Sequence, residues 1–142
     1  MKLVDSNVFI HGILKPRKNI SKSNKELKKR ANDLVLRINN GEPVGICVIQ
    51  LSEVIRVFEN LKEHEIAFRL QKFFLKSPTI KKFPVYEEDL LHAHSIVDRY
   101  RDNKISFNDA VAYSVMKRED IGEIYSFDKH FDIFDDIKRL EE

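Results

Sequence analysis

Short apolar runs alternate along the chain with apolar stripes of helical spacing, and the alternation predicts an α/β fold. Residues 2–5 read as a first strand that ends on Asp5 and turns at once into a short helix over 7–14. That helix stops near Lys15-Pro16, because the residue before a proline is biased away from helix. Leu27, Ala31, Leu34, Val35 and Ile38 then recur on one helical face, and Asn40-Gly41 is a helix stop. Residues 43–48 are apolar throughout, as a strand covered on both faces should be. The next helix carries Leu51, Val54, Ile55, Phe58 and Leu61, and another follows over 64–76. Residues 79–85 read as a third strand and 87–101 as a helix. Ser106 caps a further helix, with Phe107, Ala110, Val111, Ser114 and Val115 turned inward. Residues 123–127 form a fourth strand, 128–133 a helical turn, and 137–140 a fifth, edge strand. Strands alternating with helices predict a mainly parallel sheet of four to five strands between helical layers, in a single domain over 1–142.

Composition narrows the class. The 142 residues are 42% hydrophobic and 34% charged, which describes a soluble globular chain. No run approaches the roughly 18 apolar residues of a membrane span, and no signal peptide is evident. The one cysteine, Cys47, lies in an apolar run and has no partner for a disulfide, which suits a cytoplasmic protein with a buried thiol. Charge is unevenly spread. Residues 15–30 hold eight basic side chains against Glu26 alone, so this arm carries +7 while the whole chain carries +2. Such an arm is either a solvated face or an attractor for a polyanion.

Four acids stand where the predicted elements would gather them. Asp5 ends the first strand and Asp128 follows the fourth. Glu53 and Asp109 are placed in the first turns of two helices, on their polar faces. Each has a plain structural alternative. Asp5 and Asp128 could be N-caps, Asp109 fits the capping box Ser106-Phe107-Asn108-Asp109, and Glu53 could be an ordinary first-turn acid. Taken together they point to the crevice beyond the carboxyl ends of a parallel sheet. Converging carboxylates repel one another, and a divalent cation removes that conflict. Hard oxygen donors without histidine or cysteine favour Mg²⁺ or Mn²⁺. A metal so held can promote phosphodiester cleavage. The direction of the helix bearing Asp109 stays open, because it follows another helix.

Four segments carry a family resemblance: Leu3-Val4-Asp5-Ser6-Asn7-Val8-Phe9, Leu51-Ser52-Glu53-Val54, residues 106–112 from Ser106 to Ala112, and Ser126-Phe127-Asp128-Lys129-His130-Phe131. They resemble the four motifs of PIN-domain nucleases, and most nearly the small ribonuclease toxins of VapBC toxin–antitoxin pairs. The resemblance implies a PIN-like three-layer α/β/α sandwich and metal-dependent cleavage of RNA. It implies that Asp5, Glu53, Asp109 and Asp128 hold Mg²⁺ or Mn²⁺ and form the catalytic set. It implies that Asn7 orients Asp5 or the waters of the metal, and that Ser126 supports Asp128. It further implies a homodimer and an antitoxin partner. Two features depart from the pattern. Residues 10–30 are longer and more basic than in the smallest toxins, and Ile49-Gln50 stands where a more typical helix cap would precede Glu53.

Lys15, Arg17, Lys18, Arg101, Lys104 and Lys129 are candidate phosphate contacts. The five histidines show no metal spacing and read as surface or partly buried side chains, and His130 is not expected to touch substrate. Asp132 is a candidate outer acid. Phe58, Phe68, Phe73, Phe74 and Phe83 read as core. An aspartate-nucleophile phosphatase would want a second acid at position 7, which is Asn7. The alternatives to a toxin nuclease are a PIN nuclease of RNA processing, a non-catalytic adaptor for RNA or protein, and a DNA-directed flap-type nuclease, which chain length disfavours.

Overall fold

A computed structural model describes residues 1–142. The strands are β1 (Lys2–Val4), β2 (Val44–Cys47), β3 (Ile80–Phe83), β4 (Glu123–Tyr125) and β5 (Lys138–Leu140). The helices are α1 (Ser6–Ile13), α2 (Lys22–Asn39), α3 (Val48–Asn60), α4 (His64–Lys76), α5 (Glu87–Arg99) and α6 (Phe107–Arg118). Single 3₁₀ turns cover Arg101–Asn103 and Lys129–Ile133.

All five strands lie in one sheet of order β3-β2-β1-β4-β5, and every neighbouring pair is parallel. The chain steps outward from β1 to β2 and β3, then crosses back to β4 on the other side. The order therefore reverses at β1, and a crevice opens beyond the carboxyl ends of β1 and β4. Asp5 follows β1 directly, and its amide donates to the Tyr125 carbonyl at 2.9 Å, which extends the β1–β4 ladder to the mouth of that crevice.

The two sheet faces bury separate cores. Val4, Val44, Ile46, Ile80 and Tyr125 pack with α1, α2, α3 and α4. Leu3, Cys47, Phe83 and Ile124 pack with α5, α6 and the 3₁₀ turn through Phe131 and Phe134. Alternate strand residues thus serve opposite layers, which explains their unbroken hydrophobicity. On β2, a side chain at Gly45 would collide with the Phe83 ring, its Cβ falling 2.3 Å from a ring carbon.

Several boundaries differ from the pattern-based expectation. The second helix starts at Lys22, capped by Ser21, five residues before the first stripe residue, Leu27. Residues 22–26 are exposed and polar, and a helical turn with no buried side leaves no periodicity to read. The strand before α3 ends at Cys47 and the helix begins at Val48. Glu53 consequently sits in the second turn of α3, not the first. Strand and helix start are both apolar there, so hydrophobicity marks no border. Phe68 is 62% exposed and Phe107 45% exposed, so neither belongs to the core. No helix is long and apolar enough to cross a membrane.

The direction of α6 follows from the sheet: it leads directly into β4, which runs parallel to β1, so the helix starts at the carboxyl edge. Arg118, the last residue of α6, donates from Nε to both oxygens of Asp89, at 3.0 and 3.2 Å, in the first turn of α5. The same guanidinium reaches the Pro84 carbonyl at 2.7 Å. The pair joins the end of α6 to the start of α5, and the first turn of α6, with Asp109, lines the crevice.

Candidate metal centre

Asp5 occupies the N-cap position of α1, but its side chain makes no capping bond. Its carboxylate turns into the crevice and is only 3% exposed. One oxygen accepts Gln50 Nε2 at 2.9 Å and, more weakly, Ser6 Oγ at 3.4 Å. The other accepts Ser126 Oγ at 2.6 Å. Three elements, α1, α3 and the end of β4, therefore fix the plane of one carboxylate.

The capping box at α6 is half used. Ser106 Oγ accepts the Asp109 amide at 3.1 Å, as the motif predicts, yet the reciprocal bond from the Asp109 carboxylate to the Ser106 amide is absent. The acid is left facing Asp5 and Asp128. Asp128 does cap its turn: its Oδ1 accepts the His130 amide at 2.9 Å and lies 2.6 Å from His130 Nδ1. Glu53, half-buried on α3, accepts Asn108 Nδ2 at 3.2 Å, a bond that ties α3 to the first turn of α6. All four acids line one cleft of about 400 Å³, together with Ser6, Asn7, Lys104, Phe107, Asn108 and His130. One donor atom each of Asp109, Asp128 and His130 lies within 4.8 Å of the others.

Electrostatics follow from this crowding. Burial pushes the Asp5 carboxyl up to about 6; the Ser126 hydroxyl opposes the rise, and the charges of Asp128 and Glu53 add to it. Burial and the neighbouring charges of Asp5 and Asp128 push Asp109 up to about 8. Burial acts upward on Asp128 as well, but the His130 amide, a hydrogen bond shared with Asp109 and the His130 ring hold it below the ordinary carboxylate range. No lysine or arginine forms an ion pair with any of the four; the one ionisable partner is His130. Carboxylates are thus concentrated with no lysine or arginine paired to them, and Lys104 is the one such side chain lining the cleft. A hard-oxygen donor set with one imidazole at its rim fits Mg²⁺ or Mn²⁺.

Other expected residues fall into different places. Ser126 Oγ accepts the Asp128 amide at 2.9 Å while donating to Asp5 at 2.6 Å. Asn7 lines the cleft, but its Oδ1 holds the Phe127 amide at 3.3 Å and makes no bond to Asp5. Of the basic candidates only Lys104 lines the cleft. Lys129 is exposed on the turn beside it. Arg101 pairs with Asp98 at 3.1 Å. Lys15, Arg17 and Lys18 lie past the other end of α1, where the first two line a separate cavity of about 760 Å³ with Lys25, Lys28 and Lys29. The arm follows the end of α1 remote from Asp5. Asp132 pairs with Arg139, so it is no outer acid of this cluster.

Two residues of the site escaped sequence reasoning. Gln50 is 1% exposed and braces Asp5. Its signal was a lone amide inside the apolar stretch from Val44 to Leu51, since a buried polar group needs a reason. His130 reaches the cleft because a 3₁₀ turn folds it back on Asp128, and no helical spacing rule covers that geometry.

The PIN domain family model matches residues 2–137. No curated protein matches the sequence significantly. Among solved structures, Mycobacterium tuberculosis VapC20, described as a sarcin-ricin loop cleaving toxin, is similar at a TM-score of 0.70 and 20% identity, over 94% of each chain. FitAcB from Neisseria gonorrhoeae is similar at 0.65 and 18% identity, over 99% of this chain and 98% of that one. VapBC2 from Rickettsia felis, bound to a DNA fragment from its promoter, is similar at 0.65 and 13% identity, over 98% of this chain and 96% of that one. At these identities the likeness concerns the fold.

Proposed function

The chain belongs to the PIN-domain family, and on that premise we propose that it is a divalent-metal-dependent ribonuclease, the toxin of a type II toxin–antitoxin pair. The observation that carries the proposal is the cluster of Asp5, Glu53, Asp109 and Asp128, brought from four elements into one cleft with no lysine or arginine ion-paired to any of them. These four would hold Mg²⁺ or Mn²⁺. The bound ion would supply Lewis-acid charge at the scissile phosphate and favour ionisation of the attacking water.

The chain's own groups have separate tasks. Gln50 and Ser126 hold the Asp5 carboxylate in one plane, so that binding a cation costs little rearrangement. Asn108 does the same for Glu53, and the His130 amide for Asp128. Lys104 draws the phosphate backbone into a cleft that would otherwise repel it. An adaptor that only bound RNA or protein would gain nothing from crowded, buried acids, which cost stability. The toxin reading draws on the likeness to VapC20 and to the toxin–antitoxin complexes. By the same analogy the partner would be an antitoxin, and the protein would form a homodimer.

The test is cleavage of a mixed pool of structured and unstructured RNA with Mg²⁺, with Mn²⁺ and with chelator, for the wild type, Asp5→Asn and Asp109→Asn. Cleavage by the wild type that needs metal and vanishes in both variants is expected. Metal-dependent cleavage retained by Asp5→Asn would overturn the assignment of the site.

A further inference from the structure

The acidic cleft has one wall that cation binding does not explain. Phe107 is the only apolar side chain lining it, and it is 45% exposed. It is the first residue of α6, between the cap Ser106 and Asn108, and two residues before Asp109. The helix from Ala110 to Met116 is buried, whereas Phe107 at its start lies outside that core. Nothing local favours an aromatic there, since aromatic residues are only moderate helix formers. Lys104, exposed and with a left-handed backbone at φ 54°, lines the same cleft. An open aromatic face and an ammonium group therefore flank the carboxylates.

We infer that Phe107 is a stacking platform for an unpaired RNA base adjoining the phosphate bound at the acids, with Lys104 holding the neighbouring backbone. The inference rests on the ribonuclease reading and adds a selection rule to it. A base within a duplex has both faces covered by its neighbours, whereas a single-stranded or splayed-out base offers a free π-face. Such stacking tolerates any base, so Phe107 would select for unpaired nucleotides rather than for sequence.

The chain contains no tryptophan, so Phe107→Trp installs a single fluorescent reporter at an exposed position. The variant is titrated in Ca²⁺, which neutralises the acids, with a short single-stranded RNA, with the same RNA made abasic at each position in turn, and with the matching duplex. Saturable quenching by the intact single strand is expected, with affinity reduced at least fivefold for one abasic position and for the duplex. Equal quenching and affinity for all three would overturn the inference. A second measurement avoids the indole. Phe107→Ala should raise KM for single-stranded RNA roughly ten- to hundredfold with kcat little changed, and Phe107→Tyr should restore it. An unchanged KM in an active Phe107→Ala protein would overturn the stacking role and leave the nuclease intact. Base-dependent quenching in a protein that cleaves no RNA would support the platform and sink the nuclease.

Discussion

Asp5 and Asp89 are almost equally buried, at 3% and 4% exposure, yet their acidities are driven in opposite directions. Burial pushes both upward. At Asp89 the Arg118 guanidinium and the Tyr86 amide overcome it and hold the carboxyl below its ordinary range. At Asp5 the only strong opposition is a hydroxyl, and two further carboxylates add to the rise. The aspartate that latches α5 to α6 comes with its own cation. The aspartate at the carboxyl edge of β1 is surrounded by other acids and by donors that fix its position without neutralising it. A paired guanidinium at Asp89 and the absence of one at Asp5 separate the structural ion pair from the candidate metal centre.

Swapping each carboxylate for an amide should break this pair of residues apart. Asp5→Asn keeps the side-chain shape, and the Ser126 hydroxyl can rotate to accept its N–H. Metal affinity and cleavage should fall by more than about a hundredfold, since a ligand is lost rather than a supporting contact. The metal-free fold should be unharmed or slightly steadier, because an unbalanced buried charge is gone. Asp89→Asn should do the reverse. It removes the charge bound at Arg118 Nε, while Glu119 and the Pro84 carbonyl still hold the guanidinium, and should cost up to about 3 kcal/mol. Its metal titration should match the wild type. Calorimetric metal binding and urea unfolding on both variants check this. Equal loss of stability in the two would erase the distinction.

Ser126→Ala sharpens the comparison by removing the one strong donor that holds Asp5 down. The Asp5 carboxyl should then rise further, and the freed Asp128 amide should loosen the turn behind it. Metal affinity at neutral pH should drop about tenfold, with the acidic limb of the pH–rate profile moving to higher pH. An unmoved acidic limb would mean that Ser126 supports only the turn.

These assignments also mark how far the sequence alone reaches. The strand-ending Asp5 and the Ser106 cap were legible because each involves neighbours in the chain. The unexpected part is what their side chains do: Asp5 declines the capping role open to it, and Asp109 leaves its capping box half made. The choice at Asp5 depends on Gln50 and Ser126, 45 and 121 residues away, which no local pattern encodes. The turn holding Glu53 was misplaced because β2 runs into α3 without a polar break. The direction of α6 depends on β4 running parallel to β1, a pairing of strands far apart in the chain that no local spacing encodes.

The response to pH separates the same two sites with a smaller signal. Asp5 and Asp109 are raised in the folded state to about 6 and about 8 from 3.8. Between those values and 3.8 the folded protein keeps protons that the unfolded chain has released. Metal-free stability should therefore fall as pH rises from 4 to 8. Asp89 is lowered, so its contribution is present above 3.8 and is lost only as pH falls through its lower folded value. Melting curves at pH 5, 6, 7 and 8 in chelator should show the decline. Saturating Mg²⁺ or Mn²⁺ should abolish it, because the ion binds the ionised cluster. A flat metal-free profile would mean that the acids are not coupled as the geometry requires.

The smallest effect belongs to the basic arm. Lys15, Arg17 and Lys18 lie beyond the end of α1, whose eight residues span about 12 Å, more than the Debye length of about 8 Å at physiological salt. Their charges are too screened to alter the acids, so their removal should leave metal binding and kcat untouched. A single-stranded RNA threaded from the cleft along α1 would still meet them a few nucleotides from the cut. Replacing all three by glutamine should weaken RNA binding several-fold at low salt. It should also reduce the slope of log affinity against log salt by up to about 2, at roughly 0.7 per lost phosphate contact. The loss should appear only with RNAs long enough to span both cavities; a short oligonucleotide confined to the acidic cleft should bind both proteins alike. An unchanged slope with long RNA would make the arm a solvated face and leave Lys104 as the cation that serves the cleft.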